Sequence, residues 1–152
     1  MQKILRGIAV ALAVALFAAP SVAATTTTVR HRIAIQVDQN DPQVMNLALN
    51  NASNIIDYYR AKGEDVQVEI VAYGPGLNML RADTSPVKAR LKLMKDVSFP
   101  SRIVFSACNN TRQAMEKREG HAIAIVPEAR IVPSGVVRLM NLEEQGWSYV
   151  RP

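Results

Sequence analysis

Apolar and polar positions along this chain repeat at two periods, and the change from one to the other marks out the elements. In "HRIAIQV" Ile33, Ile35 and Val37 fall on one face, an alternation that predicts a first strand. The period then lengthens. Met45, Ala48, Leu49, Ala52, Ile55, Ile56 and Tyr59 recur at helical spacing, with Asn46, Asn50, Asn54, Asp57 and Arg60 on the other faces. Asp41-Pro42 supplies the start, an N-cap followed by proline at the first helical position, and Gly63 the stop. "EDVQVEIVAY" predicts a second strand, from about Asp65 to Tyr73, broken by Gly74-Pro75-Gly76.

The alternation continues. "LNMLRADTS" predicts a short helical turn and a loop. Ser85, as N-cap, and Pro86 open a helix carrying Val87, Leu91 and Met94 on one face. "RIVFSA" reads as a third strand, apolar at consecutive positions as when both faces are covered. A helix follows from about Asn110 to Glu119, closed by Gly120. "HAIAIVPE" fits a buried strand or a connecting segment equally well. "ARIVPS" predicts a fourth strand, Gly135 to Gln145 a last helix ended by Gly146, and "WSYVR" a final strand. Strand and helix alternating in this way predict an α/β fold, a mostly parallel sheet with helices on both faces. Ligands of such folds meet the carboxyl ends of the strands. Four turns are placed there: Asp38 to Asp41, Tyr73 to Asn78, Cys108 to Thr111, and Pro133 to Gly135.

The first residues follow neither period. Lys3 and Arg6 precede an uncharged apolar stretch from Gly7 to Ala19, then Pro20 and the small-x-small pattern Ser21-Val22-Ala23. This is the layout of a secretory signal peptide over residues 1–23. The stretch falls well short of the roughly 20 apolar residues that span a membrane. The expected product is a periplasmic protein with no membrane segment, a lead-in at 24–30 and one domain at 31–152. Of 152 residues, 129 remain after cleavage at Ala23, enough for one real core. The segment takes two cations and no acid with it, so the net charge of +5 falls to +3. Lys and Arg are scattered and form no basic stripe with aromatics, which argues against nucleic acid as a partner.

Export makes the single cysteine informative. Exported proteins commonly pair their cysteines, and Cys108 has no partner in the chain. It is a buried structural thiol, an intermolecular disulfide partner, or a reactive group. Its position at a strand end, just before a helix, favours a thiolate: backbone N–H groups are unpaired there and the helix dipole is positive. Asn109, Asn110 and Thr111 add donors and acceptors. Tyr73, Gly74 and Gly76 could bring backbone N–H groups close to an anionic ligand. Ser134 is placed as the N-cap of the last helix, with Gly135 behind it, facing the same crevice. His31 and His121 belong to no cluster with metal-ligand spacing, so no metal and no cofactor is expected. Asp38 and Asp41 are explained by turn and cap. The chain has no glycine-rich phosphate loop, no nucleophile elbow and no paired carboxylates of a hydrolase.

"FSACNNT", the later "VPSGVVRLMNLEEQGWSYVRP" and the alternating element order together resemble the DsrE/DsrF-like family of sulfur-relay proteins, and more closely its exported branch. The similarity covers nearly all of residues 31–152. It implies a three-layer α/β/α sandwich on a parallel five-stranded sheet, assembled as a homo-oligomer, a trimer or hexamer. It also implies sulfur carried as a persulfide on one cysteine and passed to a partner thiol. By that resemblance Cys108 is the carrying residue, with Asn110 and Thr111 the matching motif neighbours. The cysteine motif of the cytoplasmic carriers differs from this one, and their relay works inside the cell. The alternative is a non-catalytic oligomeric module of the same fold that binds a small ligand or partner.

Overall fold

The computed structural model describes residues 31–98 and 102–152; the expected signal peptide and lead-in lie outside them. Five strands, β1 (His31–Val37), β2 (Val66–Ala72), β3 (Arg102–Cys108), β4 (Ala129–Val132) and β5 (Ser148–Val150), form one sheet in the order β4-β3-β2-β1-β5. Every pairing is parallel. The helices are α1 (Pro42–Ala61), α2 (Lys88–Val97), α3 (Asn109–Glu119) and α4 (Gly135–Glu144), with a 3-10 helix at Gly74–Leu80.

The strand alternation sorts side chains between two layers. Ile33, Ile35 and Val37 of β1, Val68 and Ile70 of β2 and Phe105 of β3 pack in the larger core, with Met45 and Leu49 of α1, Leu91 of α2 and Met115 of α3. Ala34 and Val71 face the other way, under Leu139 and Leu142 of α4 and Trp147. Among the described residues three helices therefore cover one face and α4 the other, giving an α/β/α sandwich with a five-stranded parallel sheet.

This arrangement follows from the connections. The chain steps from β1 through β2 and β3 to β4 in one direction, so right-handed crossovers put α1, α2 and α3 on the same face. From β4 it returns across the whole sheet to β5, beyond β1, and α4 lands on the opposite face. The adjacent strands β3 and β4 thus send their helices to opposite sides. Such a switch point opens a crevice at the carboxyl ends of the strands.

Locally, several predicted signals act as read. Asp41 Oδ1 accepts the Gln43 N–H at 2.7 Å and Pro42 opens α1. Gly120, at φ 74°, ends α3 in the left-handed conformation that glycine tolerates best. One prediction needs correction and two are sharpened. Ser85 and Pro86 do not open α2, which begins at Lys88. The Ser85 hydroxyl donates to the Met79 carbonyl at 2.5 Å and accepts the Val87 N–H at 3.3 Å, so it fixes the preceding turn. "HAIAIVPE" is a connecting segment, apart from one antiparallel bridge between Arg81 and Ile125. The helix after β3 starts one residue early, at Asn109, with Cys108 as its N-cap. No helix among the described residues is long and apolar enough to cross a membrane.

Candidate functional site

Cys108 is the last residue of β3 and the N-cap of α3, so it stands at the switch point between β3 and β4. Its Sγ accepts the Thr111 N–H at 3.4 Å. The register pairs Cys108 with Val132, the last residue of β4, and the Asn110 N–H donates to the Pro133 carbonyl at 3.2 Å. That bond ties the start of α3 to the turn leading into α4. The Gly135 N–H, at the first position of α4, also bears on the sulfur. Two helix N-termini therefore converge on one thiol.

The balance on that thiol has two sides. Cys108 is only 4% exposed, and burial pushes its pKa up. Against this stand the Thr111 hydroxyl and N–H and the N–H groups of Gly135 and Asn110, and together they hold the thiol below its ordinary value. The Thr111 hydroxyl itself accepts the Gly74 N–H at 2.9 Å, which leaves its own proton available to the sulfur. The 3-10 segment thus reaches the thiol through Thr111.

Tyr73 and Gly135 meet at the same place. A Cβ on Gly135 would lie 2.7 Å from the Tyr73 Cβ, inside contact distance. Only a glycine lets α4 approach this close, and the approach brings its first N–H to Cys108. Continuing the β2–β3 register one residue beyond Ala72 and Ala107 sets Tyr73 beside Cys108. Burial, with the charges of Asp38 and Tyr149, raises the Tyr73 pKa, so its phenol stays protonated at neutral pH.

The other predicted site residues are distributed as follows. Gly74 gives its N–H to Thr111, and Gly76 is buried where a Cβ would come within 2.2 Å of the Val37 carbonyl oxygen. Gly76 therefore permits close packing of the 3-10 helix on the end of β1. Asn109 accepts from the Arg112 guanidinium at 3.1 and 3.0 Å. Arg112 also pairs with Glu116 at 2.8 Å, so its charge is engaged along α3. Ser134 occupies the N-cap position of α4 but makes no side-chain capping bond. Neither histidine reaches the thiol: His31 opens β1 at the amino ends of the strands whereas Cys108 closes β3 at their carboxyl ends, and His121 lies beyond the opposite end of α3, a helix that rises about 16 Å. Among the described residues no group of three His, Cys, Asp or Glu side chains could hold a metal ion.

Among the described residues two clefts flank the Cys108 turn. One, of about 530 Å³, lies between the 3-10 helix and α3 and is lined by Asn40, Gly74, Asn78, Asn110, Thr111 and Arg118. The second, of about 460 Å³, runs between β4 and α4 past Val132, Pro133 and Ser134. Cys108 itself lines neither.

A charged cluster under α4 escaped the sequence reading. Glu69, in the middle of β2, is fully buried. It accepts from Ser106 of β3 at 2.6 Å, from Arg130 of β4 and from Arg138 of α4, with both arginines bridging its two carboxylate oxygens. Burial alone would raise the Glu69 pKa, but these bonds, led by that of Arg138, hold it below the usual range. The signal in the sequence is an acid within the apolar run "VQVEIVA", which demands a buried cation nearby.

No protein-family model matches the chain, and no curated protein matches it. Among solved structures it is similar to the protein of unknown function MTH1491 from Methanobacterium thermoautotrophicum, with a TM-score of 0.66 and 28% identity, over 80% of this chain and 99% of that one. The likeness supports the sandwich fold and brings no activity with it.

Proposed function

We propose that this protein is a periplasmic sulfur carrier that holds a persulfide on Cys108, a relay component of the sulfurtransferase type. The observation that carries the reading is the convergence of the α3 and α4 N-termini on a thiol held below its ordinary pKa. The Cys108 thiolate attacks the outer sulfur of a sulfane-sulfur donor. A new S–S bond forms, the donor's S–S bond breaks, and its electron pair leaves with the donor's remaining thiolate or sulfite. No oxidant is consumed. The N–H groups and the Thr111 hydroxyl that favour a thiolate also suit a persulfide anion one atom further out. An acceptor thiolate then attacks the outer sulfur and Cys108 leaves as thiolate. With no second cysteine in the chain, the acceptor is another molecule.

The carrier works as a homo-oligomer, a trimer or hexamer. Support comes from α4, which leaves Val136 and Met140, one turn apart, exposed to solvent. The signal-peptide layout of residues 1–23 in the sequence supports a periplasmic setting for the relay.

A second reading is favoured by the low exposure of Cys108 and its absence from both clefts. It makes the protein a non-catalytic oligomeric module that takes a small ligand or partner, with Cys108 as packing. Intact-mass analysis separates the two. After incubation with a sulfane-sulfur donor, the carrier gains one sulfur atom at Cys108 and the Cys108→Ser variant gains none. A native thiol that gains no sulfur and resists alkylation supports the binding module.

A further inference from the structure

We propose that the groove between β4 and α4 is an anion subsite, which holds the charged end of the sulfur donor while its outer sulfur meets Cys108. The identity of the anion rests on the carrier reading; the charge of the groove does not.

The charge comes from a surplus. One guanidinium with two parallel N–H bonds, plus the Ser106 hydroxyl, already satisfies a buried carboxylate. Glu69 has two guanidinia. Among the described residues neither Arg130 nor Arg138 pairs with any other acid, so the cluster carries one excess positive charge. That charge faces the groove, which both arginines line along with Ser134, Val137 and Asn141. The Arg130 side chain is 49% exposed. The Nη1 groups of both arginines make no hydrogen bond to the described residues, whereas Nε and Nη2 are held by the cluster. Glu69 thus fixes two guanidinia in place and leaves donors free, the preorganised arrangement that anion binding favours.

The location matches the chemistry. Arg130 pairs with Ser106 and Val132 with Cys108, so the two sites lie two residues apart along the strands, about 7 Å, on the same face. The groove ends at Pro133 and Ser134, against the turn that delivers the Gly135 N–H to the sulfur. A thiolate attacking an anionic donor must bring two like charges together, and a fixed positive charge one donor-length away offsets that repulsion. The ligand class is therefore a small sulfane-sulfur compound bearing an oxyanion or carboxylate. With thiosulfate, the Cys108 thiolate takes the sulfane sulfur, the S–S bond breaks, and sulfite leaves with the electron pair.

The test titrates thiosulfate calorimetrically into the Cys108→Ser protein, where binding proceeds without transfer. Val137 lines the groove, is 48% exposed and lies outside the Glu69 cluster, so charge can be added there without disturbing the fold. Saturable binding that added salt weakens is expected, about tenfold weaker in Val137→Glu and stronger in Val137→Lys. Arg130→Gln also weakens it, with Arg138 and Ser106 still on Glu69. Equal affinity in the Glu and Lys variants, or no binding at all, overturns the subsite. If binding follows the charge at position 137 but wild-type Cys108 never gains a sulfur, the subsite stands and the carrier reading falls. If Cys108 loads from thiosulfate equally fast in Val137→Glu and wild type, carriage stands and the subsite falls.

Discussion

At the scale of single residues, the state of Cys108 is decided by competition between desolvation and four donors. Burial favours the thiol; the Thr111 hydroxyl and the N–H groups of Thr111, Gly135 and Asn110 favour the thiolate and win. Thr111→Val keeps the shape and removes the first of these donors. The inflection of the alkylation rate against pH is expected to move upward, slowing reaction at neutral pH by up to about tenfold, the equivalent of one pKa unit. The plateau rate at high pH is expected to stay the same. An unmoved inflection would show that the hydroxyl does not face the sulfur. His121→Ala is expected to leave the profile unaltered, because the ring lies at the far end of α3.

The residues of this site were legible in the sequence to different depths. Cys108 stood out because it is single and ends an apolar run. Asn110 and Thr111 follow it directly, so a helix start sufficed to place them. The packing role of Gly76 is not legible, because a glycine required for backbone approach to Val37 looks the same, in sequence, as one that opens space for a ligand. Arg130 and Arg138 went unnoticed because their common partner, Glu69, is distant in sequence and a lone acid in a strand does not name its cations.

At the scale of elements, α4 does two jobs. Its first residue delivers an N–H to Cys108, and Arg138 holds Glu69 beneath it. Gly135→Ala forces α4 away from Tyr73 and withdraws that N–H. The expected result is a raised Cys108 pKa with the circular dichroism spectrum retained. A variant with wild-type thiol reactivity would show that α4 does not act on the thiol. Glu69→Gln is expected to destabilise the fold by about 3 kcal/mol, since breaking a buried ion pair leaves cations uncompensated. The pH dependence has a definite sign. The folded pKa of Glu69 lies below the ordinary value of 4.5, so its contribution is fully present above that pH and is lost as pH falls through the folded pKa. Denaturant unfolding below pH 4.5 should therefore show a shallower loss of stability in Glu69→Gln than in wild type. Equal slopes would contradict the assignment.

Most elements could be read from periodicity because each carries its own signal, as β1 does in its alternation and α1 in Asp41-Pro42. The start of α2 could not. Ser85-Pro86 has the chemistry of a helix start, but the Met79 carbonyl, six residues back, claims the hydroxyl.

At the scale of the whole molecule, what matters is an order that no local pattern encodes. Alternating strands and helices predict a parallel sheet, yet not that β4 takes one edge and β5 the other. That order sends α3 and α4 to opposite faces and puts their first turns on either side of Cys108. Among the described residues it also leaves α4 to cover one face of the five strands, with Val136 and Met140 exposed. Sedimentation equilibrium is expected to return a trimer or hexamer, and Val136→Glu combined with Met140→Glu to dissociate it. A monomeric wild type would contradict the assembly while leaving the thiol chemistry intact.

Cys108 is proposed to take up and give away one sulfur atom, and intact mass follows that cycle through both steps. The native protein is loaded with a sulfane-sulfur donor, freed of the donor and then exposed to a low-molecular-weight thiol. The expected result is a gain of one sulfur at Cys108, absent in Cys108→Ser, and its complete loss to the thiol. A native Cys108 that gains nothing, while the same thiol in the unfolded chain does, would contradict it.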